Sequence, residues 1–228
     1  MTTIVGLIPA HNEARRIATT VRAVRSIVNE VVVVDDGSKD ATAAEALGAG
    51  ATVLRIRGRA GKGRAVDGAL DRLPAADVWL LADGDLGESA VRLRTLLDEV
   101  GDGRAQLAIA LFPRQIGGGF GIVKGFAANA IHRLSGFRPR EPLSGQRAIT
   151  RECLDAVRPL AGGFGMETAM TIDALRSGFR VVEVPIDDLS HRPTGRGVRG
   201  FIHRGRQGWD ILRAVARRSV GGGMARKR

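Results

Sequence analysis

An α/β fold, with a mainly parallel sheet flanked by helices, is what this 228-residue sequence predicts. Three observations carry the prediction. Apolar, β-branched runs alternate with segments whose apolar residues recur at helical spacing, the order that joins parallel strands through right-handed crossovers. The run "VVVV" at 31–34 is bounded by charge on both sides, as in a strand buried on both faces. Two such runs, "VVVVDDGS" and "VWLLADGD", end abruptly on paired carboxylates. In open α/β sheets the carboxyl ends of strands border the ligand crevice.

The first strand is "TIVGLI". Ile17, Val21, Val24 and Val28 then repeat at helical spacing and predict a helix over about 13–28. "VVVV" is the second strand, followed by a helix near 41–47, the strand "TVLRI", a helix near 63–73 and the strand "DVWLLA". The helix "ESAVRLRTLLDEV", the strand "LAIALF", the glycine-rich loop "GGGFG", helices near 123–134 and 167–177, and the strand "FRVVEVPI" complete the body. No repeat or long linker intervenes before "GGG" at 221–223, after which "MARKR" reads as a disordered tail.

Composition narrows the function. A hydrophobic content of 44% with 26% charged residues is ordinary for a globular protein. No apolar run approaches the roughly 18 residues of a membrane span. "MTTIVGLIPAHNE" has no basic start and turns polar early, unlike a secretory signal. Cytoplasm is therefore the expected compartment. The single cysteine, Cys153, reads as a small helical core residue, with a nucleophile as the alternative.

The net charge of +11 is concentrated. From His191 onward there are ten arginines, one lysine and one acid, a net +10, which leaves about +1 for residues 1–190. An arm of this kind implies an anionic partner. Nucleic acid is not expected, because the body lacks zinc-finger spacing, an RNP-type aromatic motif and any tyrosine. A membrane surface or a phosphorylated substrate fits better. Within the arm, "QGWDILRAVARR" at 207–218 sets Trp209, Leu212 and Ala216 along one face, with Arg206, Arg213 and Arg217 nearby, as in an interfacial helix. Docking on the body is the alternative.

The most informative motif is "LLADGDL". Asp83 and Asp85 flank one glycine directly after an apolar strand. Close carboxylates repel unless a cation lies between them, and hard oxygen ligands with room for phosphate and water suit Mg²⁺ or Mn²⁺. Gly84 lets the backbone turn and leaves the approach open. "GKGRAV" is not a P-loop, since its glycine spacing is too short and no Ser or Thr follows the lysine. Elsewhere, Asp36, Ser38 and Asp40 have a plainer reading as turn and cap residues.

Taken in order, "IPAHNE", "VVVVDDGSKDAT", "GKGRAV" and "LLADGDL" resemble the nucleotide-sugar-binding half of family 2 glycosyltransferases of the GT-A fold. "PLSGQRAITRECLDAV", "GFGMETAMTIDALRSGFRVVEVPI" and "HRPTGRG" resemble the acceptor half of polyprenyl-phosphate sugar synthases and of glucosyl-3-phosphoglycerate synthases. The resemblance implies a GT-A domain over 1–200, divided into a nucleotide-sugar-binding half 1–112 and an acceptor half 113–200. Residues 201–228 follow as a basic helix and tail.

The resemblance also implies roles. Pro9 and Glu13 would border the nucleoside, Asp35 and Asp36 would contact base and ribose, and Gly37 and Ser38 would clear space for them. Lys62 would reach the diphosphate as a point charge. Asp83, Gly84 and Asp85 would hold donor and metal, with His191 a third ligand in the phosphoglycerate-type enzymes. Glu167 is the best carboxylate for a catalytic base. A phosphate acceptor is already anionic at neutral pH and needs little proton removal, and Arg147, Arg192, Arg196 and Arg199 would be its partners. Phe120, Ile122 and Phe126 would meet a lipid chain or pack in the core.

The function implied is metal-dependent transfer from a UDP- or GDP-sugar to a phosphate-bearing acceptor. Polyprenyl phosphate is favoured and implies inversion. The alternative, a small soluble phosphorylated acceptor, implies retention. A sugar nucleotidyltransferase is disfavoured, since "PAHNEARR" replaces the glycine- and arginine-rich loop of that class. Intact Asp83 and Asp85 speak against a non-catalytic nucleotide-binding module. A cytoplasmic protein, peripheral at the inner membrane face through its arm, is the resulting expectation.

Overall fold

The computed structural model describes residues 2–56, 58–112, 121–163, 165–189 and 209–218. The chain runs β1 (Ile4–Ala10), α1 (Ile17–Arg25), β2 (Glu30–Asp35), α2 (Thr42–Gly48), β3 (Thr52–Arg55), α3 (Lys62–Leu70) and β4 (Val78–Leu81). A 3-10 helix, Gly87–Leu93, leads into α4 (Arg94–Gly101), β5 (Leu107–Leu111), α5 (Gly121–Ser135), β6 (Arg147–Thr150), α6 (Arg151–Val157), α7 (Gly165–Arg176) and β7 (Val181–Pro185). A last helix, α8, spans 209–218.

The seven strands form one sheet in the order β3-β2-β1-β4-β6-β5-β7. β1 pairs parallel with β2 and β4, β2 with β3, and β5 with β7, while β6 runs antiparallel to β4 and β5. Alternation along β2 explains its valines. Val31 and Val33 join the core on one face with Ile17, Val21 and Val24 of α1, and Val32 and Val34 join the core on the other with Val66 of α3 and Met170 of α7. All four valines are essentially inaccessible. Each buried valine contributes roughly 1.5–3 kcal/mol.

Three elements depart from the sequence reading. α1 begins at Ile17 rather than near residue 13, because Asn12 takes a positive φ of 58° and the chain turns before the helix starts. Part of the expected helix over 88–100 is the 3-10 segment. β6 has no counterpart in the sequence reading, since "RAIT" is too short to show a period, while α6 is the helix expected around Cys153. Cys153 lies buried in α6, and burial pushes its thiol up to about 12. That environment removes the nucleophile alternative.

α8 docks on α7 through Ile211 and Ala214, which are buried, and the Ala214 side chain lies over Gly165. Arg218 Nε donates to both carboxylate oxygens of Asp173 at 2.7 and 2.8 Å. Arg176 donates to the carbonyls of Leu134 and Arg218, so one guanidinium serves the C-terminal ends of α5 and α8. Trp209 and Leu212 remain 58% and 44% exposed, and Ala216 is exposed as well. The helix therefore docks by the face opposite the one singled out in the sequence. On α5, Ile122 is 88% and Phe126 39% exposed, so neither packs in the core. Phe120, most of "GGGFG" and the tail "MARKR" lie outside the described residues.

Candidate active site

Because β1, β2 and β4 are parallel, their carboxyl ends share one edge of the sheet, and the loops leaving them border a cleft of about 1280 Å³. Pro9, Glu13, Asp36, Lys62, Asp83 and Asp85 all line it. The β1 and β2 loops are knitted together there. Asn12 N–H donates to Ser38 Oγ at 2.9 Å, Lys39 N–H to Asn12 Oδ1 at 2.9 Å, and the His11 ring nitrogen Nδ1 to the Asp36 carbonyl at 2.9 Å. The β4 loop is pinned by Thr20, whose hydroxyl donates to the Gly84 carbonyl at 2.9 Å and accepts from Gly87 N–H at 2.8 Å. Gly84 is close-packed: a Cβ there would lie 3.3 Å from Ile17 Cδ1.

Both oxygens of Asp83 are engaged. Lys62 Nζ donates to Oδ1 at 2.7 Å and Gln146 Nε2 donates to Oδ2 at 2.6 Å. The same ammonium lies 3.0 Å from Glu167 Oε1, in the first turn of α7. Burial works against the lysine's charge, but Asp83 and Glu167 outweigh it and raise its pKa above the ordinary value, so it remains protonated. Gly145 closes the arrangement, since a side chain there would strike Lys62 Nζ and come within 3.0 Å of both Asp83 oxygens. Gln146 and Gly145 were not singled out in the sequence as site residues. Their signal, "SGQR", gains meaning only once β6 is placed beside β4.

Several expected contacts are corrected. Asp35 is fully buried and accepts from Ser38 N–H at 2.9 Å and Arg55 Nε at 3.3 Å, so it shapes a turn instead of meeting a nucleoside. Gly37 does not clear space for a ligand: its φ is +72°, and a side chain would collide with the Gly58 carbonyl. Ser38 is buried, and its Oγ accepts from Asn12 N–H. Asp36 does line the cleft, and its two oxygens accept from Ala60 N–H at 2.7 Å and Gly61 N–H at 2.9 Å, fixing the loop that presents Lys62.

Arg147 is also corrected, because it is fully buried and presents nothing to an acceptor in this conformation. Its Nε donates to the Ser144 carbonyl and its Nη1 to Thr171 Oγ1, while Nη2 has no partner among the described residues. Burial lowers its pKa to about 10 against the pull of Glu167 and Glu183, so it stays charged at neutral pH. His191, Arg192, Arg196 and Arg199 lie outside the described residues. Among the described residues, no group of three or more His, Cys, Asp or Glu side chains is arranged to hold a metal. No described helix is long and apolar enough to cross a membrane.

A mixed sheet of this order, with carboxylates, a lysine and a glutamate gathered at the strand ends, places the chain in the class of GT-A nucleotide-sugar-binding folds. The chain belongs to glycosyl transferase family 2, whose family model matches residues 7–159. It is 32% identical to glycosyltransferase AglJ of Haloferax volcanii over 78% of this chain and 60% of that protein. It is 29% identical to glucosyl-3-phosphoglycerate synthase of Mycolicibacterium paratuberculosis over 83% of this chain and 66% of that one. The chain thus spans less than two thirds of the length of these relatives. Among solved structures, glucosyl-3-phosphoglycerate synthase of Mycobacterium tuberculosis with Mg²⁺ and UDP aligns at a TM-score of 0.78 and 25% identity, covering 95% of this chain and 79% of that one. The same enzyme with Mn²⁺, UDP-glucose and phosphoglyceric acid aligns at 0.76 and 26%, again covering 95% and 79%.

Proposed function

We propose that this chain is a metal-dependent glycosyltransferase that moves a sugar from a UDP- or GDP-sugar to a phosphate-bearing acceptor, with polyprenyl phosphate favoured. The observation that carries the reading is the grouping of Asp83, Asp85 and Lys62 on one cleft wall, with Glu167 buried behind them and ion-paired to Lys62. Asp36 orients the loop that aims Lys62, and Pro9 and Glu13 border the space for the nucleoside.

Two hard carboxylates that share a cleft suit a divalent cation with phosphate and water as its remaining ligands, so the donor set fits Mg²⁺ or Mn²⁺. Asp83 and Asp85 would hold the ion, with His191 as a proposed third ligand. When bound, it neutralises charge on the departing nucleoside diphosphate. Lys62 adds a fixed positive charge at the same place and needs no reorganisation to do so. Gln146 restrains the Asp83 carboxylate by donating to its Oδ2. Glu167 is the proposed base for an acceptor hydroxyl, a role that a phosphate acceptor hardly requires.

The polyprenyl reading draws support from exposed apolar groups on two helices of the molecule's second half: Ile122 and Phe126 on α5, Trp209 and Leu212 on α8. Arg213 and Arg217 next to the latter suit an anionic membrane surface at the cytoplasmic face. The second reading, a small soluble phosphorylated acceptor, is supported by the likeness to a synthase solved with phosphoglyceric acid. In either reading residues 1–200 are the catalytic unit and 201–228 a basic arm. A screen of nucleotide sugars with Mn²⁺ or Mg²⁺, read by hydrolysis and thermal shift, tests the transferase function. A ligand at 100 times its Kd stabilises by about 2.7 kcal/mol. No shift and no turnover with any donor would overturn it.

A further inference from the structure

The cleft does not end at the paired carboxylates. It continues across the first turn of α3 and the 158–163 segment to α8, where Trp209, Asp210, Arg213 and Arg217 form the far wall. This wall is contiguous with the lysine loop. A Cβ on Gly61 would lie 4.0 Å from the Gly163 Cα, and a side chain on Gly163 would run into the Asp210 carboxylate. α8 is seated by Ile211, Ala214 and the Arg218–Asp173 pair, so the wall is built and not incidental.

The far end is cationic in a selective way. Arg158 is neutralised by Asp67 and Asp71, and Arg218 by Asp173. Arg64, Arg213 and Arg217 line the same cleft, and none of the three has a carboxylate ion pair among the described residues. Asp210 is the single acid on α8. Arg213, Ala214 and Arg217 line the cleft while Leu212 and Ala216 do not, so one flank of the helix presents both arginines to it. Arg213 also lies over the Trp209 ring, 6.0 Å from its centroid, which holds its guanidinium beside an apolar edge. Unneutralised like charges on a concave wall repel one another, and an anion removes that repulsion. Guanidinium groups meet phosphate oxygens as bidentate forks.

We propose that Arg64, Arg213 and Arg217 form a second phosphate subsite, which takes the phosphate of a phosphate-ester acceptor while the donor diphosphate occupies the Lys62 end. This rests on the transferase reading above. It makes α8 a wall of the working cleft. It also assigns acceptor recognition to arginines other than Arg147.

The test uses the full chain. Glycerol 3-phosphate is titrated by calorimetry with and without saturating UDP and Mn²⁺, and sedimentation is measured with phosphatidylcholine vesicles containing farnesyl phosphate. Both are repeated for Arg64→Gln and for the double variant Arg213→Gln/Arg217→Gln, whose folding is checked by thermal melting. The wild type is expected to bind at least one phosphate ester in a salt-sensitive way. Each variant should weaken that binding by about 10-fold or more, the effect of losing roughly one charge-assisted contact. UDP–Mn²⁺ affinity should not change. Binding of the soluble ester assigns a free phosphate, and binding of the doped vesicles alone assigns a lipid phosphate. The subsite is overturned if the wild type binds neither probe, or if both variants bind like the wild type. Failure of the wild type to bind UDP–Mn²⁺ would instead count against the transferase reading, because the titration without UDP still reads the subsite.

Discussion

Lys62 Nζ lies 2.7 Å from Asp83 Oδ1, so the first carboxylate after β4 already has a cation beside it. The ammonium reaches Glu167 as well, at 3.0 Å, and Glu167 is only 5% exposed. Three ionisable groups from three separate elements thus meet before any ligand arrives. The lysine is held charged by the two carboxylates, and it offsets the repulsion between them.

Replacing Lys62 by Met is expected to lower stability by about 1.5–3 kcal/mol, the range for hydrogen bonds to charged groups. It leaves Asp83 and Glu167 facing each other. Added Mn²⁺ should restore more stability to the variant than to the wild type, and binding of nucleoside diphosphate should fall more than binding of the bare nucleoside. Thermal melts with and without Mn²⁺, and titrations with UDP and uridine, check this.

Asp85→Ala is expected to abolish transfer while leaving the melting temperature nearly unchanged. Asp85 is only partly buried, and its carbonyl, which accepts from Arg16 Nη1 at 3.0 Å, survives the substitution. Loss of the ligand should cost at least about 100-fold in turnover, as for removal of one electrostatic stabiliser. Wild-type turnover with metal present would refute the metal site.

Asp36→Ala should weaken donor binding through the loop instead of through lost ligand contact alone. The amides of Ala60 and Gly61 lose their acceptors at 2.7 and 2.9 Å, and Lys62 is no longer aimed. Amide exchange at residues 60 and 61 should speed up together with a rise in the donor Kd of about 10-fold, equivalent to about 1.4 kcal/mol.

Cys153 should resist thiol reagents at pH 8 in the native protein and react fully after denaturation. Its folded pKa is pushed up to about 12 by burial, with the Glu152 charge adding to the effect. The reactive thiolate is therefore disfavoured in the fold. By the same linkage the thiol contributes stability below its unfolded pKa and loses it as pH rises from about 9 towards 12. Ellman's reagent with and without denaturant reads the first effect directly.

The donor half was the more legible part of the sequence. A run of four valines can satisfy only a doubly covered strand, and carboxylates at strand ends announce a ligand edge whatever the ligand is. Asp35 and Asp36 could not be separated in this way. They are neighbours in sequence, but alternation in the strand sends one into the Ser38 turn and the other to the Ala60 loop. Arg147 failed for a related reason: a charged residue in a loop-like sequence proved to be the first residue of a strand, buried under Thr171. Gln146 was invisible because its partner, Asp83, lies 63 residues away. The helix over 209–218 was expected, but its docked face was not, since Ile211 and Ala214 are fewer and smaller than the exposed apolar residues beside them.

The reversed direction of β6 bears on how this protein is assembled. Leu81, the last residue of β4, pairs with Arg147, the first of β6, so the antiparallel strand delivers Gly145 and Gln146 to the donor carboxylates. During synthesis β1 to β5 are all present by residue 112, yet β4 is then a bare sheet edge and Asp83 lacks one of its donors. Such an edge invites pairing with another chain. A fragment ending at 112 should therefore self-associate instead of binding nucleotide as an independent module, and the binding site matures only when the second half of the chain has been threaded back into the middle of the sheet.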